Sequence, residues 1–324
     1  MKIIAKPCYG LDLLCLMNTM TGDAYYLKHY QEVYDRYERD IPQHVKDAFA
    51  RMVAESGSAV LSPALTLLAS AVPGFDTRDV VEVLRDREAM TRGIEASPYD
   101  FTPEELKQYY GWFDTAVIPM IQALHDAGHA EDWAQERLPQ VQGRCAEVEA
   151  YAQEHDIGGM IDQLRGGEMG DITIYMCSYA RPHGIKLCGD ALISDISYRL
   201  ETVIANVTHE VFHPPYAEED VRAVLDAMAC QPFVVEAFEG QNPMSGYGTM
   251  DGFLEENIVE ALGTYIVYRL GIETDPDAYF REHDGGSHVV SPHFFWYLVN
   301  TPKPQDEAFA PYLARFVADM GWNG

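Results

Sequence analysis

Two consecutive prolines, Pro214 and Pro215, put a hard stop on whatever precedes them, and what precedes them is YRLETVIANVTHEVFH, residues 198–213. Proline has no amide hydrogen, and its ring crowds the carbonyl four residues back, so a helix ends at or before it. His213 is therefore expected as the last helical residue. Val203, Ile204, Val207, Val211 and Phe212 make this helix apolar enough to be buried. Its final turn nevertheless carries His209, Glu210 and His213. Residues four apart lie on one helix face, so both imidazoles point the same way. Such a polar cluster is costly inside a protein unless something satisfies it. Either a cation does so, or the histidines hydrogen-bond within the core.

The spacing suits a cation. Two such imidazoles can each place a nitrogen about 2.0–2.1 Å from one zinc ion. Glu210 follows His209 by about 100° of helix rotation. It sits beside an ion rather than on it, where a carboxylate can take a proton from water that the ion polarises. A catalytic zinc keeps three protein ligands and one open position. The third is expected downstream in GFLEENIVEALGTYIVYRLG, residues 252–271, where Phe253, Ile258, Leu262 and Ile266 form an apolar helical face. Glu256 and Glu260 lie four apart in this stretch, and buried carboxylates need a partner. Glu256 is expected as the third ligand. Glu260 is expected to accept a hydrogen bond from a histidine ring N–H. The alternative is an exposed acidic edge of Glu255, Glu256 and Glu260.

The rest of the chain divides by pattern. Residues 1–165 read as mostly helical after a short strand at Lys2–Ala5. Tyr26, Tyr30, Tyr34 and Tyr37 form a helical stripe, expected to face a core or a neighbouring helix. Thr102, Pro103 and Glu105 have the spacing of a capping box with proline at the first helical position. After RGGEMG, the segments DITIYMCSYA and GIKLCGDALISDIS are rich in β-branched and aromatic residues and read as strands. Helices resume at about 217–229, 253–270, 290–300 and 305–319. The expected class is α+β, mainly α, with a small twisted sheet ahead of the histidine helix. Residues 1–165 form the helical part and 166–324 the core, although the two can share one hydrophobic interior.

The formal net charge of −28 disfavours nucleic acid and anionic membranes as partners. It favours cations and positively charged substrates, or simply keeps the surface solvated. Six cysteines without a C-x-x-C pair give no disulfide framework. Pro7 and Asp12 interrupt the apolar start, which argues against a signal peptide and for a cytoplasmic protein. No apolar run approaches the length of a membrane span.

With His209, Glu210, His213, Glu256 and Glu260 in place, the chain resembles the zincin superfamily, and within it the gluzincins. There an H-E-x-x-H helix is followed by a second helix with a glutamate ligand, often with another acidic residue four positions on. EENIVEALGTY is similar to the second-helix segment of uncharacterised bacterial predicted zinc peptidases, and the resemblance spans residues 200–265. It implies a zincin-like metallopeptidase core and zinc bound by His209, His213 and Glu256. It also implies hydrolysis of a peptide or protein substrate by zinc-activated water, with Glu210 as general base. A donor to the developing oxyanion is sought in REHDGGSHVVSPHFFWY. His288, after the Gly-Gly-Ser turn, is preferred over His283, His293, Tyr247 and Tyr265. The loop 240–252, with Gly240, Gly246, Gly248 and Gly252, is a candidate lid. Two other readings stay open: a catalytically silent zincin-like binding domain, and a hydrolase for a non-peptide amide.

Overall fold

A computed structural model describes residues 1–99, 101–165, 170–213, 216–241 and 248–322. The chain groups into two compact units. One comprises Met1–Ile3, Ala150–Ile172 and Leu200–Gly324, the other Ile4–Glu149 and Thr173–Arg199. The class is α+β and mainly helical, with a small mixed sheet of four strands among the described residues. No helix among them is long and apolar enough to cross a membrane.

The sheet has the order β1-β2-β4-β3, where β1 is Ile3–Pro7, β2 Ile172–Cys177, β3 Ile185–Lys186 and β4 Ala191–Asp195. It lies in the second unit apart from Ile3 and Ile172, where the chain passes from one unit to the other. Strand β2 runs parallel to β4, with Thr173 opposite Ala191, and β3 is antiparallel to β4, with Ile185 opposite Ile193. All five residues of β4 are buried, as suits a strand covered on both faces.

The helix Tyr9–Met20 is buried from Leu11 onwards. Asp12 sits inside it and accepts from the Ser178 and Tyr179 amides at 2.7 and 3.0 Å and from the Trp133 indole at 2.6 Å. The tyrosine stripe runs along the helix Ala24–Tyr37 and gives its hydroxyls to this same unit. Tyr26 pairs with His183, Tyr30 with Asp195 and Tyr37 with Asp132. The capping box forms as its spacing predicts, with Glu105 N donating to Thr102 Oγ1 and Thr102 N to Glu105 Oε2. All six cysteines are free.

The units interleave in sequence instead of dividing near residue 165. Strands β2 to β4, expected to belong with the histidine helix, group with the N-terminal helices. The reason is physical. Asp12 binds the backbone just after β2, and Ser70 Oγ accepts from the Cys188 amide at 3.0 Å beyond β3. These bonds tie the strands to helices far earlier in the chain, which no composition shift reveals.

In the other unit, the histidine helix Leu200–Glu210 packs on the long helix Met250–Arg269, which also packs on Ser291–Asn300. Their shared core includes Val203, Ile204, Val207, Phe253, Leu262 and Phe294, each fully buried. Gly263 on the long helix faces the backbone of the histidine helix at close range. A Cβ there would stand 3.0 Å from the Thr208 carbonyl oxygen and 3.3 Å from His209 Cα. Both neighbours are helical backbone and cannot turn aside. Gly263→Val is therefore expected to cost on the order of 1–3 kcal/mol, as overpacking does, and to move His209 away from Glu256. Urea unfolding together with zinc titration checks both.

Candidate metal centre

The histidine helix ends at Glu210, three residues earlier than expected. The chain then tightens, with the Phe212 amide bonding His209 O at 3.0 Å and the His213 amide bonding Glu210 O at 3.3 Å. These are bonds to the third residue back, the form in which helices commonly finish. Arg165 Nη1 donates to the Val211 carbonyl at 3.0 Å and satisfies a backbone acceptor at this end. His213 thus stands in a tightened turn, yet it still meets His209.

The Nε2 atoms of His209 and His213 are 3.1 Å apart. Glu256 reaches both, with Oε1 at 3.4 Å from His209 Nε2 and Oε2 at 3.6 Å from His213 Nε2. The opposite nitrogen of each ring is held by a different carboxylate: His209 Nδ1 by Glu260 Oε2 and His213 Nδ1 by Glu255 Oε1, both at 3.0 Å. Donation from Nδ1 leaves each Nε2 as a bare lone pair. Two lone pairs and a carboxylate then converge on one point, an arrangement that only a cation or a proton relieves.

The separations fit a metal. Ligands about 2.0–2.1 Å from zinc stand about 3.3 Å apart in a tetrahedron, and the distances here run from 3.1 to 3.6 Å. Two imidazoles and one carboxylate form a donor set that zinc accepts. The three side chains keep 16 to 25% of their surface exposed, so the point is accessible. Glu210 is half-buried and close enough to His209 and Glu256 to act on the charge of both.

Without metal, a proton takes the cation's place. Burial by itself would lower the His209 pKa, but Glu260, followed by Glu256 and Glu210, outweighs it and raises the value to about 9. Burial works against ionised Glu260, yet its bond to His209 dominates and holds it down at about 2. Glu256 lies above the usual range because burial outweighs its two histidine neighbours. A metal ion binding here would have to displace a proton from His209 near neutral pH.

The signs give a test on metal-free protein. His209 is raised from 6.5, so its contribution is full below that pH and is lost as pH climbs through about 9. Glu260 is depressed from 4.5, so its contribution is present above that pH and is lost as pH falls towards 2. Stability measured by urea midpoint is expected to be highest between these limbs. Glu260→Gln should flatten both limbs and weaken zinc binding by roughly 10–100-fold, the usual cost of losing a carboxylate that orients a ligand.

A cavity of about 280 Å³ opens beside this point, lined by His209, Glu256, Glu260, Thr264, Glu273, Tyr279 and His283, with Ala205, Val267 and Ile272 as apolar wall. His288, preferred from sequence as the oxyanion donor, is not in that lining. It is 1% exposed, stacks on His283 with ring centroids 5.3 Å apart and lies beside Glu260. The cause is Asn257, which sequence reading passed over. Its Oδ1 accepts from the Val290 amide at 2.9 Å, and its carbonyl accepts from Ser291 Oγ at 2.7 Å, drawing residues 288–291 against the long helix. His293 packs between Phe233 and Trp322, and the Tyr265 hydroxyl is taken by Arg269. Residues 242–247 of the candidate lid, including Gly246 and Tyr247, lie outside the described residues. Glu255 and Tyr279 were also missed. The contact of Glu255 with His213 depends on the tightened turn, and nothing local marks Tyr279.

Comparison with protein-family models, with curated proteins and with solved structures finds no match. The functional reading therefore stands on the site's own geometry.

Proposed function

We propose that this protein is a zinc-dependent, gluzincin-like metallopeptidase that hydrolyses peptide bonds. The observation that carries the reading is the convergence of His209 Nε2, His213 Nε2 and Glu256 on one point, while Glu260 and Glu255 hold the far side of each imidazole. A structural histidine pair needs neither the third donor nor two orienting carboxylates.

His209, His213 and Glu256 would hold the ion, a set that leaves room for a fourth, non-protein ligand. When bound, zinc supplies a Lewis acid that makes nearby water more acidic and polarises a carbonyl. Glu210 takes the proton of the attacking water and passes it to the departing amine. Tyr279 and Thr264 bring hydroxyls to the cavity wall, where both donate to Glu260 and so brace the carboxylate that holds His209 Nδ1. Glu256, Glu260 and Glu273 make the wall acidic, which favours substrates carrying positive charge.

The test is incubation of zinc-loaded protein with a mixed peptide library. New peptide termini are expected to appear, to stop with a chelator and to return with added zinc. Retention of zinc with no cleavage of any peptide would leave a metal-binding domain and overturn the peptidase.

A further inference from the structure

We propose that Glu260, His283 and His288 form a second divalent-cation site next to the first. Each offers one ligand atom, and the three atoms lie within 4.8 Å of one another. The fold has to work to bring them together. Glu260 stands on the long helix one turn beyond Glu256, whereas His283 begins the short turn His283–Gly286 and His288 follows just after it. Gly285 and Gly286 adopt φ of 68° and 81°, and a Cβ on Gly286 would meet the Arg281 carbonyl oxygen at 3.0 Å. Only glycine makes that reversal without strain. The result is a pair of imidazoles stacked at 24° with centroids 5.3 Å apart, beside a carboxylate that is 5% exposed.

The geometry is within reach of coordination. Two ligands about 2.1 Å from one ion can stand at most about 4.2 Å apart. Closing the widest pair therefore takes less than an ångström, and His283, which is exposed, can swing that far. Glu260 has capacity left. It accepts from His209 Nδ1 through Oε2 at 3.0 Å and from Thr264 Oγ1 through Oε1 at 3.1 Å, and Tyr279 bonds it too. A carboxylate offers about four lone-pair positions, which leaves one for an ion. Glu260 and His283 line the same cavity as His209 and Glu256, so an ion can arrive by the same route.

Donor chemistry selects the ion. Two imidazoles and one carboxylate suit zinc, cobalt, nickel or copper, and not calcium or magnesium, which prefer oxygen alone. Glu260 then joins the two centres, since it holds the ring of His209 and ligates the second ion. A cation on Glu260 makes it a weaker acceptor for His209. Occupancy of one site is therefore expected to weaken the other, and by the same factor in each direction.

The inference does not depend on the peptidase reading, and the experiment separates the two. Full-length protein is stripped with chelator, dialysed against excess zinc at high salt to screen loosely held ions, and analysed for metal per chain. Two zinc ions are expected in the unaltered protein, one in His283→Ala, and one in the His209→Ala/His213→Ala double variant. His283 is exposed, so its removal leaves the core intact, and circular dichroism confirms the fold. Cobalt substitution should give a visible spectrum that changes in His283→Ala. One ion in the unaltered protein, kept by His283→Ala and lost by the double variant, overturns the second site and leaves the first standing. One ion lost by His283→Ala and kept by the double variant supports the second site and sinks the first. Two ions kept by His283→Ala also overturn the assignment.

Discussion

Glu210→Gln is expected to keep its zinc and lose hydrolysis by about two to four orders of magnitude, the range that a positioned general base contributes. The two halves of this outcome have different causes. On the proposed function the ion would be held by His209, His213 and Glu256, whose donor atoms converge without Glu210. Glutamine matches glutamate in size and can still hydrogen-bond, so the helix end is not disturbed. It cannot take a proton, and on the proposed mechanism that single loss would remove the step that makes water a nucleophile. Elemental analysis reads the first half and peptide turnover the second. Full turnover in the variant would remove Glu210 from the chemistry. Loss of zinc would mean that Glu210 is itself a ligand.

The second large effect is expected from Glu256→Ala. It removes one of three donors, so zinc affinity should fall by more than the roughly 10–100-fold assigned to an orienting carboxylate such as Glu260. The metal-free protein should behave differently. Burial already works against ionised Glu256 and raises its pKa, so deleting the carboxylate relieves a cost. Metal-free stability should be little changed. The unaltered protein should gain about 4 kcal/mol when zinc is present at a thousand times its dissociation constant, and the variant, if its affinity falls by more than about 100-fold, should gain less than about 1.4 kcal/mol at that concentration. Urea unfolding with and without zinc measures both. A variant that keeps the whole zinc-dependent gain would show that the third ligand lies elsewhere.

The order of these effects follows from distance to the point of convergence. Glu256 faces it and Glu210 adjoins it, while Glu260 and Glu255 act through the far nitrogens of the two rings. Gly263 acts one step further out, by letting the histidine helix approach the long helix so closely that His209 and Glu256 meet.

Much of this was legible in the sequence because it is local. The spacing of His209 and His213 places them together through helix geometry alone, and the spacing of Glu256 and Glu260 does the same on the next helix. The capping box at Thr102, the tyrosine stripe and the β-branched segments at β2 and β4 follow from the same short-range rules. The end of the histidine helix was legible only roughly. The prolines forbid continuation, but the tighter turn that carries His213 depends on what the chain does after Glu210.

What only the tertiary structure decided is which groups from distant segments meet. Pattern periodicity says that Glu255 is off the apolar face; it does not say that His213 Nδ1 lies 3.0 Å away. It gives no sign that Asn257 ties residues 290–291 to the long helix and so carries His288 to Glu260 instead of into the cavity. Nor does it show that β2 to β4 group with helices from the first half of the chain. Local geometry is set by bonds three and four residues apart and can be read along the sequence, whereas these meetings depend on how buried surfaces from remote segments pack. The two histidines and Glu256 lie on the first side of that line, and most of the groups that hold their far sides lie on the second.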